Sequence, residues 1–177
     1  MKKCFFFDRD GIVNESPGPE KYVERWEDFH LMPGFVKVLR RVTALGYASV
    51  VVTNQRCVAL GRLTPGDLER MHDQLRALLR DRHGLALTDI LYCPHDRGVC
   101  DCRKPKPGLL LEAARRHAFD LPASWMVGDS ATDVEAGQAA GCRTIWVGEK
   151  RLAGSATVSV DSLEALDSLI AAGRGVV

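Results

Sequence analysis

The sequence predicts an α/β fold: a doubly wound, mostly parallel, Rossmann-like sheet flanked by helices. Three observations carry this. Strand-like and helix-like segments alternate along the 177 residues. The second strand candidate contains the consecutive run Val50, Val51, Val52, as expected for a strand buried on both faces of a parallel sheet. The polar residues best suited to chemistry, Asp8, Asp10, Thr53, Lys104 and Asp129, all fall beyond the carboxyl ends of strand candidates, where open α/β sheets place their sites.

Lys3 to Asp8 is a short apolar run ending in a turn at Asp10-Gly11, and reads as a buried first strand. Residues 12–32, with Pro17, Gly18 and Pro19 near their middle, read as an irregular flap too short for a folded cap. Pro33 opens a helix through Phe35, Val38, Leu39 and Val42, and Gly46 stops it. Tyr47 to Thr53 is the second strand. Thr64-Pro65 caps a helix whose apolar face is Leu68, Met71, Leu75, Leu78 and Leu79. Ile90 to Cys93 is a third strand, residues 94–106 a loop, and Pro107 to His117 a helix. Trp125 to Gly128 is a strand running into Asp129. Ser130 to Ala140 is a helix stopped by Gly141. Arg143 to Val147 is the last core strand, and Ser162 to Ala171 a terminal helix. The expected organisation is one domain over residues 1–177, with a motif-bearing core at 3–148 and no large cap domain.

Apolar residues make up 46% and charged residues 27% of the chain, with a net charge of +1. These values describe a soluble globular protein and give no broad basic surface for nucleic acid. The apolar start is cut off by Asp8, Arg9 and Asp10, so neither a signal peptide nor a membrane span is predicted, and a cytoplasmic monomer is expected. No Gly-x-Gly-x-x-Gly follows the first strand, which argues against a dinucleotide-binding dehydrogenase.

Asp8 and Asp10 are two residues apart at a strand end, so both can face the same cleft, with Gly11 allowing the tight turn. Asp8 has the chemistry of a nucleophile that forms an aspartyl-phosphate, and Asp10 that of a general acid and base. Asp and Gly are also ordinary turn residues, so the tetrad alone leaves both readings open. Asp129 adds a third acid at another strand end. Clustered carboxylates need a cation, and oxygen ligands beside a phosphate favour magnesium. Asp133, one helical turn on, suits the magnesium shell, the orientation of Lys104, or simple complementarity to a helix N-terminus. The Thr53 hydroxyl, backbone N–H groups around Asn54, and Lys104 suit the transferring phosphoryl oxygens.

A second metal is suggested by Cys93-Pro94-His95 and Cys100-Asp101-Cys102. Three thiolates and an imidazole make a structural zinc site, with a zinc loop over residues 93–102; unrelated thiols or a disulfide are the alternatives. Because Arg103 and Lys104 follow Cys102 directly, such a loop would aim Lys104. Cys4 and Cys142 are expected in the core, and Cys57 near the site mouth.

Four ordered segments, Asp8-Arg9-Asp10-Gly11, Val52-Thr53-Asn54-Gln55, Arg103-Lys104-Pro105-Lys106-Pro107-Gly108 and Val127-Gly128-Asp129-Ser130-Ala131-Thr132-Asp133, resemble the four motifs of the haloacid dehalogenase superfamily. Within it the chain is most similar to the small, capless, histidinol-phosphatase-related branch. The resemblance implies a magnesium-dependent phosphatase for a small phosphorylated substrate. A heptose 1,7-bisphosphate cleaved at its 7-phosphate is the first candidate, and histidinol phosphate the rival. It further implies Asp8 as nucleophile, Asp10 as acid/base, and Thr53 and Lys104 as phosphate binders. Asn54 and Arg103 would touch substrate. Asp8, the backbone carbonyl of Asp10, and Asp129 would bind Mg2+, while Cys93, His95, Cys100 and Cys102 would bind Zn2+. A nucleic-acid 3′-phosphatase and a non-catalytic binding module are the readings from other classes. Three departures stand out: Ile12 for the usual Thr, Arg56-Cys57 for Ser-Gly, and Ser130 for Lys, with Arg56 or Lys106 as candidates to replace the missing cation.

Overall fold

A computed structural model describes residues 2–149, 154–173 and 175–176. Six parallel strands form one sheet: β1 (Cys4–Phe7), β2 (Ala48–Asn54), β3 (Asp89–Cys93), β4 (Trp125–Gly128), β5 (Arg143–Val147) and β6 (Val158–Val160), in the order β3-β2-β1-β4-β5-β6. The chain reverses direction across the sheet between β1 and β4. The carboxyl ends of those two strands, joined in register from Phe5↔Trp125 to Phe7↔Val127, therefore flank the crevice.

The alternation of side chains along each strand builds two cores. Phe5, Phe7, Val51, Val127 and Ile145 point to one face. There they meet α1 (Pro33–Ala44), α2 (Pro65–His83) and α5 (Leu163–Ala171) through Phe35, Leu39, Leu75, Leu79 and Leu166. Cys4, Phe6, Val50, Val52 and Met126 point to the other face. They meet α3 (Gly108–His117) and α4 (Ala131–Ala139) through Leu109, Leu110, Ala113 and Ala136. A strand buried this way has no polar face, which is why the sequence reads as unbroken apolar runs.

The expected doubly wound sheet is present, and it has one strand more than the sequence suggests. β6 follows β5 at the edge; with three residues, of which only Val160 is buried, it leaves no readable pattern. On α2 the buried face is Leu68, Met71, His72, Leu75 and Leu79; Leu78 sits at its margin and His72 takes the inward place. Thr64 caps this helix, its hydroxyl accepting from the Asp67 N–H at 3.1 Å. Residues 12–32 are anchored at their base. Ile12 and Val13 are buried, the Met32 N–H donates to the Val13 carbonyl at 2.9 Å, and Val23 and Phe29 join the first core. Between these anchors Ser16, Pro19, Glu20 and Lys21 are exposed, as are Arg25, Glu27 and Asp28. Among the described residues no helix is long and apolar enough to cross a membrane.

Candidate active site

Asp8 leaves the end of β1 with its N–H donating to the Val127 carbonyl of β4 at 3.0 Å. The chain then turns back, with the Val13 and Asn14 N–H groups both donating to the Arg9 carbonyl. Gly11, at φ +98°, is required in this turn. A Cβ there would lie 2.0 Å from an Asp129 carboxylate oxygen, so the third acid packs directly over its backbone. Gly128 plays the same part on β4, where a Cβ would sit 2.3 Å from Asp133. These two close approaches bring Asp8, Asp129 and Asp133 together, with one oxygen of each within 4.8 Å of the others.

Lys104 enters this acidic cluster from the loop after β3. It is almost wholly buried, and its ammonium donates to Asp8 Oδ1 at 2.7 Å, Asp133 Oδ1 at 2.6 Å and the Val52 carbonyl at 2.9 Å. All three N–H bonds are thus engaged. Burial disfavours the charge on Lys104, but Asp133 and Asp8 outweigh it and hold the ammonium above the usual lysine range. Burial pushes Asp8 up to about 7, with Lys104 opposing and Asp133 and Asp10 adding. Asp129 is pushed up to about 6, again by burial first and then by Asp133. One ammonium among three clustered carboxylates leaves net negative charge on oxygen donors, which is the chemistry of a hard divalent cation site.

The side chain of Asn54, at the end of β2, donates to the Lys104 carbonyl at 3.0 Å and accepts from the Lys104 N–H at 3.0 Å. These two bonds position Lys104. Thr53 is buried, and its hydroxyl accepts from the Gln55 amide at 2.9 Å. That amide also donates to Asp10 Oδ2 at 3.1 Å. Asp10 is further gripped by the fully buried Arg9, at 2.9 and 3.0 Å, and by Asn14 at 2.9 Å. Its carboxylate is not part of the Asp8-Asp129-Asp133 set. Arg9, Asn14 and Gln55 were not singled out from the sequence. Buried polar side chains must find partners, and here the partner is Asp10.

Asp133 is 1% exposed and uses both oxygens, one on Lys104 and the other on the Ser130 hydroxyl and N–H at 2.6 and 3.1 Å. Of the two cations considered as replacements at Ser130, Arg56 pairs with Asp96 at 2.6 Å and Lys106 with Asp101 at 2.8 Å. Both are engaged in loop contacts. Cys57, expected near the mouth, is wholly buried, with its thiol 3.5 Å from the Gln55 amide oxygen; burial raises its thiol. Cys4 and Cys142 lie in the core as expected.

Cys93, His95, Cys100 and Cys102 converge as a second cluster. Four of their donor separations are 3.6, 3.5, 3.3 and 3.4 Å. Edges of about 3.7 Å surround a tetrahedral centre with ~2.3 Å metal–sulfur bonds, so the set fits one. The Cys100 thiol is lowered to about 7: burial opposes this, but the Cys102 thiol, the Arg103 and Cys102 N–H groups and the Cys93 thiol outweigh it. Gly108 lets this loop lie on α3, since a Cβ would meet the Asp101 carbonyl at 2.3 Å. Asn54, Arg97, Gly98, Arg103, Lys104 and Thr132 are among the residues lining a cleft of about 520 Å³ beside the acidic cluster. A groove of about 720 Å³ between α1, His83 and Asp167 brings no such set of acids together.

The HAD-hydrolase-like family model matches residues 101–162. The chain is 39% identical over 147 residues to D-glycero-beta-D-manno-heptose-1,7-bisphosphate 7-phosphatase of Pseudomonas putida, covering 82% of each chain. The chain belongs to the HAD-like hydrolase family. This HAD-like hydrolase is also 37% identical to D-glycero-alpha-D-manno-heptose-1,7-bisphosphate 7-phosphatase of Mycobacterium bovis, over 90% of its own length and 87% of the relative's. Its fold matches the crystal structure of D,D-heptose 1,7-bisphosphate phosphatase from B. bronchiseptica, complexed with magnesium and phosphate, with a TM-score of 0.86 and 31% identity. That match covers 97% of this chain and 99% of the other. The HAD-like hydrolase is accordingly a phosphoric monoester hydrolase with a capless core.

Proposed function

We propose that this enzyme removes the 7-phosphate of a D-glycero-D-manno-heptose 1,7-bisphosphate through an aspartyl-phosphate on Asp8. The observation that carries the reading is the ammonium of Lys104 bridging Asp8 and Asp133 beside Asp129, at the sheet's crossover point. The likeness to heptose bisphosphate phosphatases over most of both chains supports the substrate.

In this mechanism Lys104 holds Asp8 Oδ1, which fixes the carboxylate for in-line attack by its other oxygen. The phosphorus–oxygen bond to the sugar breaks as the Asp8 oxygen–phosphorus bond forms, and the leaving alkoxide takes a proton from Asp10. Asp10 then withdraws a proton from water, which attacks the aspartyl-phosphate and returns Asp8 with release of inorganic phosphate. Arg9, Asn14 and Gln55 keep Asp10 oriented for both transfers. The Thr53 hydroxyl and Lys104 face the phosphoryl oxygens, and Asn54 and Arg103 contribute to the substrate cleft. Asp8, the Asp10 carbonyl and Asp129 would hold Mg2+, which when bound neutralises phosphoryl charge. Cys93, His95, Cys100 and Cys102 would hold a structural Zn2+, the soft donors disfavouring magnesium there. The enzyme is read as a cytoplasmic monomer acting on a small molecule.

Phosphate release with magnesium, compared across both anomers of the heptose bisphosphate, histidinol phosphate and a 3′-phosphorylated oligonucleotide, tests the reading. Strong preference for a heptose bisphosphate is expected. Preference for histidinol phosphate or the oligonucleotide would overturn the substrate.

A further inference from the structure

Three surface segments meet through charged side chains that none of the four motifs includes, and one of these residues, Arg97, lines the substrate cleft. Arg56, just past β2, donates to Asp96 Oδ1 at 2.6 Å and to Glu20 Oε2 at 3.4 Å. The same Asp96 oxygen accepts the Arg97 N–H at 2.6 Å. The Arg97 guanidinium then donates to Glu20 Oε1 at 2.5 Å. Arg56 and Asp96 thus fix the backbone at Arg97, and Glu20 holds its head.

The cations along the cleft differ in how firmly they are tied. Lys104 is buried in the acidic cluster, where it serves the phosphate that is cleaved. Lys106, in an exposed pair with Asp101, also donates to the Cys100 carbonyl at 2.8 Å, and Arg103, next to Lys104 in the chain, donates to the His95 carbonyl at 3.4 Å. Arg97 is anchored at its head by Glu20, in a pair whose two side chains are each 64% exposed. An exposed pair of this kind contributes little and exchanges readily for a stronger partner. A phosphate dianion is such a partner, since a guanidinium matches its oxygens in a fork.

We propose that Arg97 is a specificity-determining residue that binds the substrate's second phosphate, the one that is not cleaved, with Glu20 as the carboxylate it displaces. Arg56 and Asp96 act as positioning residues for it. The inference rests on the bisphosphate reading and deepens it. The four-residue segment between His95 and Cys100 brings Arg97 to the cleft that also contains Lys104, so the two phosphates of one sugar would be read by residues from one loop. The Arg56 that stands in place of a small residue acquires a role by the same geometry.

The test is the ratio of kcat/KM for heptose 1,7-bisphosphate to that for heptose 7-phosphate, the same sugar without the second phosphate. Arg97→Ala is expected to lower this ratio roughly ten- to hundred-fold, mainly through KM for the bisphosphate. Glu20→Gln, which frees Arg97, is expected to lower KM for the bisphosphate about two- to five-fold. Arg97→Gln gives the same readout should the alanine variant fail to fold, and equal metal content in variant and wild type shows that the loop is intact. A ratio unchanged in the Arg97 variants, or a KM raised by Glu20→Gln, would overturn the proposal and leave the substrate reading standing. A wild-type ratio near one would overturn both.

Discussion

Asn54 and Lys104 hold each other through two reciprocal hydrogen bonds of 3.0 Å, amide to backbone in both directions. The end of β2 therefore fixes the backbone from which Lys104 reaches Asp8. Asn54→Ala removes both bonds without touching the ammonium. We expect kcat to fall about 10- to 100-fold, the size expected when a charged group is loosened beside the reacting atoms. KM is expected to change little. Steady-state kinetics on the variant check this, and a rise in KM with kcat retained would assign Asn54 to substrate contact instead.

The Lys104–Asp133 pair is buried at both ends, with side chains 2% and 1% exposed. Asp133→Ala leaves the ammonium with Asp8 as its one carboxylate and takes the acceptor from the Ser130 N–H and hydroxyl. It is expected to lower the unfolding free energy by about 1–3 kcal/mol, the cost of buried donors left without acceptors. Urea unfolding monitored by circular dichroism measures it. No measurable loss would mean that Asp8 alone satisfies Lys104.

Asp8 and Asp129 are raised to about 7 and about 6. Protons compete with a cation for both carboxylates, so the cation binds more weakly when they are protonated. As pH falls from 7.5 through 7 and 6 to 5.5, the magnesium concentration for half-maximal activity should rise. The rise should approach ten-fold per pH unit for each group once pH is below its pKa. Activity titrated with magnesium at several pH values checks this; a requirement flat across that range would contradict the assignment of these two acids.

The Cys93, His95, Cys100 and Cys102 site should carry one zinc per chain, measurable by elemental analysis. Stripping it with a chelator should abolish phosphate release, because Arg103 and Lys104 lose their anchored approach. Zinc alone, added back before magnesium, should be needed for recovery. A metal-free protein with full activity and unchanged circular dichroism would contradict the positioning role.

Much of this arrangement is legible in the sequence because it depends on short-range rules. The acids, Thr53 and Lys104 fall where strand-ending patterns place them, and the Cys-x-His and Cys-x-Cys pairs declare a common centre. What the sequence does not show depends on contacts between distant segments. Arg9 is wholly buried with its charge satisfied by Asp10, and nothing in the local sequence marks it as an inward residue. Asn54 reads as a substrate contact, and its two bonds to a backbone 50 positions away have no local signature. The Glu20–Arg97 pair joins residues 77 positions apart and has no local signature. β6 is missed for a different reason: an edge strand of three residues is too short to show a period.

In this mechanism the transferred phosphate passes through Asp8. Enzyme quenched during turnover of the heptose bisphosphate and reduced with borohydride should carry homoserine at position 8, as an aspartyl-phosphate does on reduction. Asp8→Asn should show neither the modification nor phosphate release. Turnover with residue 8 unmodified, or with the modification on another residue, would contradict the account.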